Sequence, residues 1–277
     1  MKMKKPYRPA HWLVELVTLA NGACGLIACF FLVRYVALCN AREVVPCIHL
    51  TLVWVFMLFG GIFDGLDGLI ARRLKVSTEL GKELDSLCDA VTFGVLPAMI
   101  IALLNSFSAN IYWMIFSWAC AVVYLCGALF RLARFDVESL PAEKHHLTFS
   151  GLPSPSAAAT VGIIVILYIG LREGNIWFVK ILWDIFSMNS VIQFSGYLIT
   201  ALPFLGLALG FLMVSEIEFI HMAAVTKYFA SRKIFAKILY SLALISLVVL
   251  LREMVFLLLL FSVGYGLVMY FYGLIRA

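Results

Sequence analysis

Charge is what this sequence has least of. Charged residues make up 13% of the 277, with only 16 aspartates and glutamates, while 64% are hydrophobic. Together with a mean hydropathy of +1.02, that scarcity excludes an ordinary soluble domain and puts the chain among proteins that cross a membrane several times. Paired cysteine spacing is missing as well. The seven cysteines form no C-x-x-C pair and mostly lie in apolar runs, so they read as small core residues rather than a disulfide framework. No tandem repeat or low-complexity segment is present. The basic start, MKMKKPYRPAHW, is not followed by a clear small-residue cleavage site, so the first apolar run is expected to be a retained span.

What is present is a series of apolar runs. They predict an all-α, polytopic bundle of about eight transmembrane helices, near 13–33, 48–71, 83–105, 112–133, 156–171, 196–215, 234–251 and 254–273. With the N-terminus inside, only Arg34, Arg42, Arg172, Lys180 and Arg252 of the 21 basic residues fall outside, as the positive-inside rule favours. A nucleic-acid partner is not expected.

The scarce acids are not scattered. Asp64, Asp67, Asp85 and Asp89 fall within DGLDGLIARRLKVSTELGKELDSLCD, in the spacing D-x2-D-G-x2-A-R-x8-G-x3-D-x3-D. Four carboxylates at a membrane edge are costly unless a cation sits among them, and a divalent metal answers that need. Residues three and four apart share a helix face, so Asp64, Asp67, Gly68 and Ala71 make one wall and Gly81, Asp85 and Asp89 a second. Between them, Ser77 and Thr78 are potential helix caps and Glu79 suits a helix N-terminus, which predicts helix, short break, helix. Gly68, Ala71 and Gly81 leave room for close approach of a bulky ligand. Arg72, at the end of the first helix, suits a phosphate oxygen. Acids for metal, metal for phosphate and small residues for a substrate together suggest phosphoryl transfer.

Elsewhere the signals are weaker. Thr18, Gly22 and Gly25 in the first span read as close helix packing, whereas Asn21, an amide inside a span, needs a partner such as a bound polar head group. Glu15 is taken as interfacial. Trp113 and Trp118 read as interfacial anchors. Arg131 and Arg134 share a helix face at the end of the fourth span and either snorkel to lipid phosphates or recognise an anion. His145 and His146 read as solvated loop residues, and Pro153 and Pro155 as a stiffened approach to the next span that could form a lid. The stretch 172–193 reads as an amphipathic segment on the membrane, or a distorted span. Arg232, Lys233 and Lys237 set topology or touch anionic lipid.

At every fixed position the aspartate spacing resembles the signature of the CDP-alcohol phosphatidyltransferases. TLANGACG, RLARFD, FSGLPSPSAAA and, more weakly, LMVS look like the branch of that family whose acceptor is serine. The resemblance covers roughly the first 215 residues. It implies a catalytic membrane domain over 1–215, with 216–277 a cytoplasmic linker and two further helices of the same bundle. It implies attack of the L-serine hydroxyl on CDP-diacylglycerol at a two-metal Mg2+ or Mn2+ centre, giving phosphatidylserine and CMP. Asp64, Asp67 and Asp85 would ligate metal; Asp89 would be the general base and also touch metal. Asn21, Gly68, Ala71, Arg72, Thr78 and Gly81 would bind the CDP-lipid, and Arg131 and Arg134 the serine carboxylate. Asp136 and Glu138 either pair with these arginines or meet the serine ammonium. A homodimer in the cell (inner) membrane, its site facing the cytoplasm, completes the expectation. The alternatives are another acceptor alcohol (glycerol phosphate, inositol phosphate or choline), an intramembrane prenyltransferase, and a divalent cation transporter.

Overall fold

The computed structural model describes residues 9–41, 47–74, 76, 78–107, 110–138, 148–173, 188–215 and 218–220. Within them the chain is helical apart from one short two-stranded ribbon. The order is α1 (Pro9–Asn40), α2 (Ile48–Leu74), α3 (Glu79–Asp89), a π-helical turn (Ala90–Val95), α4 (Leu96–Leu103), α5 (Ile111–Glu138), β1 (Thr148–Ser150), α6 (Ser154–Glu173), α7 (Met188–Val214) and β2 (Glu218–Ile220). Among the described residues, six spans are long and apolar enough to cross a membrane, with α3, the π turn and α4 forming one of them over Glu79–Leu103. The chain is an integral membrane protein by this measure. The two C-terminal spans expected over 234–251 and 254–273, like His145, His146, Arg232, Lys233 and Lys237, lie outside the described residues.

Two details sharpen the expectations. Of the stretch 172–193, Arg172 and Glu173 end α6, Met188–Gln193 are the first turns of α7, and the residues between lie outside the described residues. The polar residues Asn189, Ser190 and Gln193 interrupt the apolar run there, while the helical backbone continues through them. In addition, part of the loop expected before α6 is a strand: β1 pairs antiparallel with β2, Phe149 opposite Phe219, and Gly151 follows it at φ 84°, in the left-handed region that favours glycine.

The chain divides into two compact units, Met1–Leu140 with Leu152–Ser215, and Pro141–Gly151 with Glu216–Ala277. The second contributes the β1–β2 ribbon. In the first, α1 packs most extensively on α2, and α5 on α7. Close crossings are set by glycine. A Cβ on Gly25 of α1 would lie 2.9 Å from the Thr92 Cα, and one on Gly127 of α5 only 2.6 Å from the Gly210 carbonyl oxygen of α7. These approaches let backbones touch where lipid offers no hydrophobic drive between helices.

The apolar core fills the half of the bundle away from the aspartates, with Leu32, Leu50, Val53, Ile101, Tyr124, Val161 and Leu202 fully enclosed. The outward faces stay apolar, as Leu16, Leu19, Leu26, Phe30 and Val33 on α1 illustrate, which fits helices solvated by lipid chains. All seven cysteines are free thiols; Cys126 departs from the core expectation by being exposed.

Candidate active site

The site begins where α2 ends. Val76 N–H donates to the Ala71 carbonyl at 3.1 Å, closing the helix, and the chain restarts two residues later. Thr78 caps α3, its backbone extended (φ −117°, ψ 152°) and its hydroxyl accepting from Gly81 N–H at 2.9 Å. This helix, break and helix turn the two acid walls towards one another. One carboxylate oxygen each from Asp64, Asp67 and Asp85 lie within 4.8 Å of one another.

Helix α1 supplies the third side. Thr18 donates to Asp67 Oδ2 at 2.6 Å, holding a carboxylate that is only 5% exposed. Asn21, fully enclosed, donates through Nδ2 to Asp89 Oδ1 at 2.9 Å. The Asn21 backbone carbonyl accepts from the Thr92 hydroxyl at 3.0 Å, so α1 is tied to the π turn directly after Asp89. Asn21 Oδ1 has no hydrogen-bond partner among the described residues. Asp89 itself is 8% exposed and stands outside the three-carboxylate group.

A cavity of about 100 Å³ opens beside the acids, lined by His11, Val14, Glu15, Thr18, Asp67, Gly68, Ala71, Val76, Thr78, Gly81 and Asp85. Gly68, Ala71, Thr78 and Gly81 thus share one surface, and a Cβ on Gly68 would meet nothing within 4 Å. Arg72 is exposed at the end of α2 and is not among the lining residues. Neither is Asn21, whose contact is with Asp89. Arg131 acts electrostatically on Asp64, lies over the Phe135 ring at 5.2 Å, and reaches the buried Ser154 hydroxyl at 3.5 Å. Arg134 is half-buried one turn further along α5.

Glu15 is buried and lines the cavity. The shared surface it forms with His11 and Thr18 is not evident from the sequence because the apolar residues of α1 dominate its pattern. The signal was there, since His11, Glu15 and Thr18 recur at helical spacing on one face. Thr92 and the π turn had no such signal.

The donor set suits a hard divalent cation. Asp64, Asp67 and Asp85 bring carboxylate oxygens together, with no lysine or arginine among the cavity's described lining residues, and carboxylate oxygen sites are what Mg2+ and Mn2+ bind. Uncompensated, such a cluster at a membrane edge would be strongly unfavourable.

Comparison with known proteins fits this arrangement. Residues 12–192 match the CDP-alcohol phosphatidyltransferase family, and the chain belongs to it. It is 34% identical over 162 residues to the CDP-diacylglycerol–serine O-phosphatidyltransferase of Bacillus subtilis, covering 57% of this chain and 77% of that one. It is also 34% identical over 187 residues to the Saccharomyces cerevisiae protein of the same name, covering 66% of this chain and 62% of that one. With the Methanocaldococcus jannaschii protein of that name the figures are 34% over 159 residues, 57% and 58%. The matched region contains the aspartates, every cavity-lining residue but His11, both arginines and Ser154.

Proposed function

We propose that this enzyme is a CDP-diacylglycerol–serine O-phosphatidyltransferase, making phosphatidylserine and CMP. The carrying observation is the meeting of Asp64, Asp67 and Asp85 beside a cavity floored by Gly68, Ala71 and Gly81, in a chain whose relatives bear that name. Asp64, Asp67 and Asp85, with Asp89 alongside, would hold two Mg2+ or Mn2+ ions. Bound there, the ions supply neutralisation of the pyrophosphate and of the departing CMP.

The remaining steps belong to side chains. Gly68, Ala71 and Gly81 admit the nucleotide. Thr78 accepts from Gly81 and so keeps its own proton to donate to a phosphate oxygen, and Arg72 reaches another from the helix end. Arg131 and Arg134 bind the serine carboxylate, Arg131 being the one within electrostatic reach of Asp64. Asp89 takes the serine hydroxyl proton. The serine oxygen forms the new bond to the lipid-side phosphorus, and the bond from that phosphorus to CMP breaks, its electron pair leaving with CMP. Asn21 orients the base, engaging Oδ1 and leaving the other oxygen outside that bond.

The catalytic machinery is assigned to residues 1–215, with 216–277 a linker and two further spans. The active form is a homodimer in the cell membrane with the acids facing the cytoplasm, where CDP-lipid and serine meet. Release of CMP from CDP-diacylglycerol tests the reading, with serine, glycerol phosphate, inositol phosphate and choline offered singly. Release is expected with serine; release with another alcohol alone reassigns the acceptor.

A further inference from the structure

A larger cavity lies at the other end of the bundle. It measures about 260 Å³ and is walled by α1, α6 and α7 with the segment following α4. Its polar lining is Tyr35, Tyr168 and Arg172; Leu104, Phe107 and Ile199 supply an apolar side. Along α6, Arg172 is eighteen residues from Ser154, the hydroxyl that Arg131 reaches beside the aspartates. At 1.5 Å per residue that is roughly 27 Å, about the thickness of a hydrocarbon core. The cavity and the aspartates therefore sit at opposite membrane faces.

Three features suit it to a phosphate. Arg172 Nη1 donates to the Tyr168 hydroxyl at 2.7 Å, and its guanidinium lies 5.6 Å from that ring's centre. The arginine is thereby held against the helix bundle. Tyr35 and Tyr168, both buried, bring hydroxyls to the same place, and no carboxylate is among the described lining residues. A fork of N–H donors with neighbouring hydroxyls suits an oxyanion.

The apolar side is fixed in place by Asn105. Its Nδ2 donates to the Ile101 and Ile199 carbonyls at 3.1 and 3.0 Å, while its Oδ1 accepts from Trp113 Nε1 at 3.2 Å. This clasp joins the end of α4 to α5 and α7 and keeps Leu104 and Ile199 on the cavity wall. Phe107 is substantially exposed on that side. A volume of this size is below that of pockets enclosing a drug-sized molecule and suits a head-group phosphate with the first carbons of a chain.

We propose that the Tyr35–Tyr168–Arg172 cavity binds the phosphate of an anionic membrane phospholipid from the leaflet opposite the aspartate site. Arg172 and the tyrosine hydroxyls take the phosphate oxygens, and Leu104, Phe107 and Ile199 receive the start of an acyl chain. The site is separate from the reaction chemistry and does not depend on which alcohol accepts the phosphatidyl group.

Native mass spectrometry of the purified full chain with phosphatidylglycerol tests it. The unaltered protein is expected to retain the lipid, and Arg172→Gln to lower retention about tenfold, with Arg172→Lys intermediate because it keeps charge without the fork. Equal retention by the unaltered chain and Arg172→Gln overturns the proposal. Displacement of the lipid by millimolar inorganic phosphate also overturns it, in favour of a small-anion site. If Arg172→Gln does not fold, Phe107→Trp in the otherwise unaltered chain is read by fluorescence at substoichiometric lipid in micelles. Stronger quenching by acyl-brominated phosphatidylglycerol than by acyl-brominated phosphatidylcholine supports the site, and equal quenching overturns it.

Discussion

The two ends of this helical bundle use buried polar groups in different ways. At one end, Asp67, Asp89, Asn21, Thr18 and Thr92 are buried together and linked into a chain running from α1 to α2 and the π turn. At the other, Asn105 is buried too, and its hydrogen bonds join α4 to α5 and α7 around an apolar core. The first network aims carboxylates at one another; the second clasps helices. Burial alone therefore does not mark chemistry. What marks it is burial of like charges where the rest of the chain spends its polar groups on holding helices together.

That contrast can be broken most severely at the acids. Asp67→Asn is expected to lower CMP release about a thousandfold or more through lost metal binding, with the helical circular dichroism unchanged. Asp89→Asn comes next: turnover falls on the order of a hundredfold to ten-thousandfold, as for loss of a general base, while CDP-diacylglycerol binding by equilibrium dialysis is kept. Retained turnover would leave the Asn21–Asp89 pair as a helix clasp like Asn105.

Two glycine variants sharpen the distinction. Gly25→Ala drives a methyl against Thr92, whose Cα would stand 2.9 Å away, and is expected to cost about 1–3 kcal/mol and lower Tm. Gly68→Ala meets no atom within 4 Å. It should leave Tm level or slightly raised, since alanine is the better helix former by about 1 kcal/mol, while KM for CDP-diacylglycerol rises about tenfold as the cavity narrows. The smallest effect is expected from Tyr124→Phe. It removes the hydrogen bond to the Phe93 carbonyl at 3.1 Å, costing about 1 kcal/mol in thermal denaturation with kcat unaltered.

How far the sequence predicted this follows from which residues leave a pattern. The helix, break and helix about Thr78 were legible because a cap residue, an acidic first turn and two acid walls at helical spacing agree with one another. The six described spans were legible from apolar run length. The start of α7 was not, because Asn189, Ser190 and Gln193 dilute its hydropathy. The β1–β2 ribbon is three residues a strand, too short for alternation to register. The cavity-lining places of Glu15 and Thr18 were not legible for a different reason: α1 is apolar on nearly every side, so Thr18 reads as part of a packing seam and Glu15 as interfacial. Side-chain partnership across helices, such as Asn21 with Asp89 sixty-eight positions away, leaves no local trace.

The π turn at Ala90–Val95 has a consequence for how this span tolerates change. Such a turn holds one more residue than the α-helical path it replaces. Deleting one residue there would restore regular winding while leaving Asp85 and Asp89 near their present setting against α4, whereas a residue removed from a regular α-helical stretch swings what precedes it by about 100°. The same six residues therefore absorb one extra position within a single rod: the half below stays indexed to the other carboxylates while the half above stays seated among Ile100, Ile101 and their neighbours. A one-residue deletion is better tolerated in this turn than in the regular helix on either side, where it would misalign the acids.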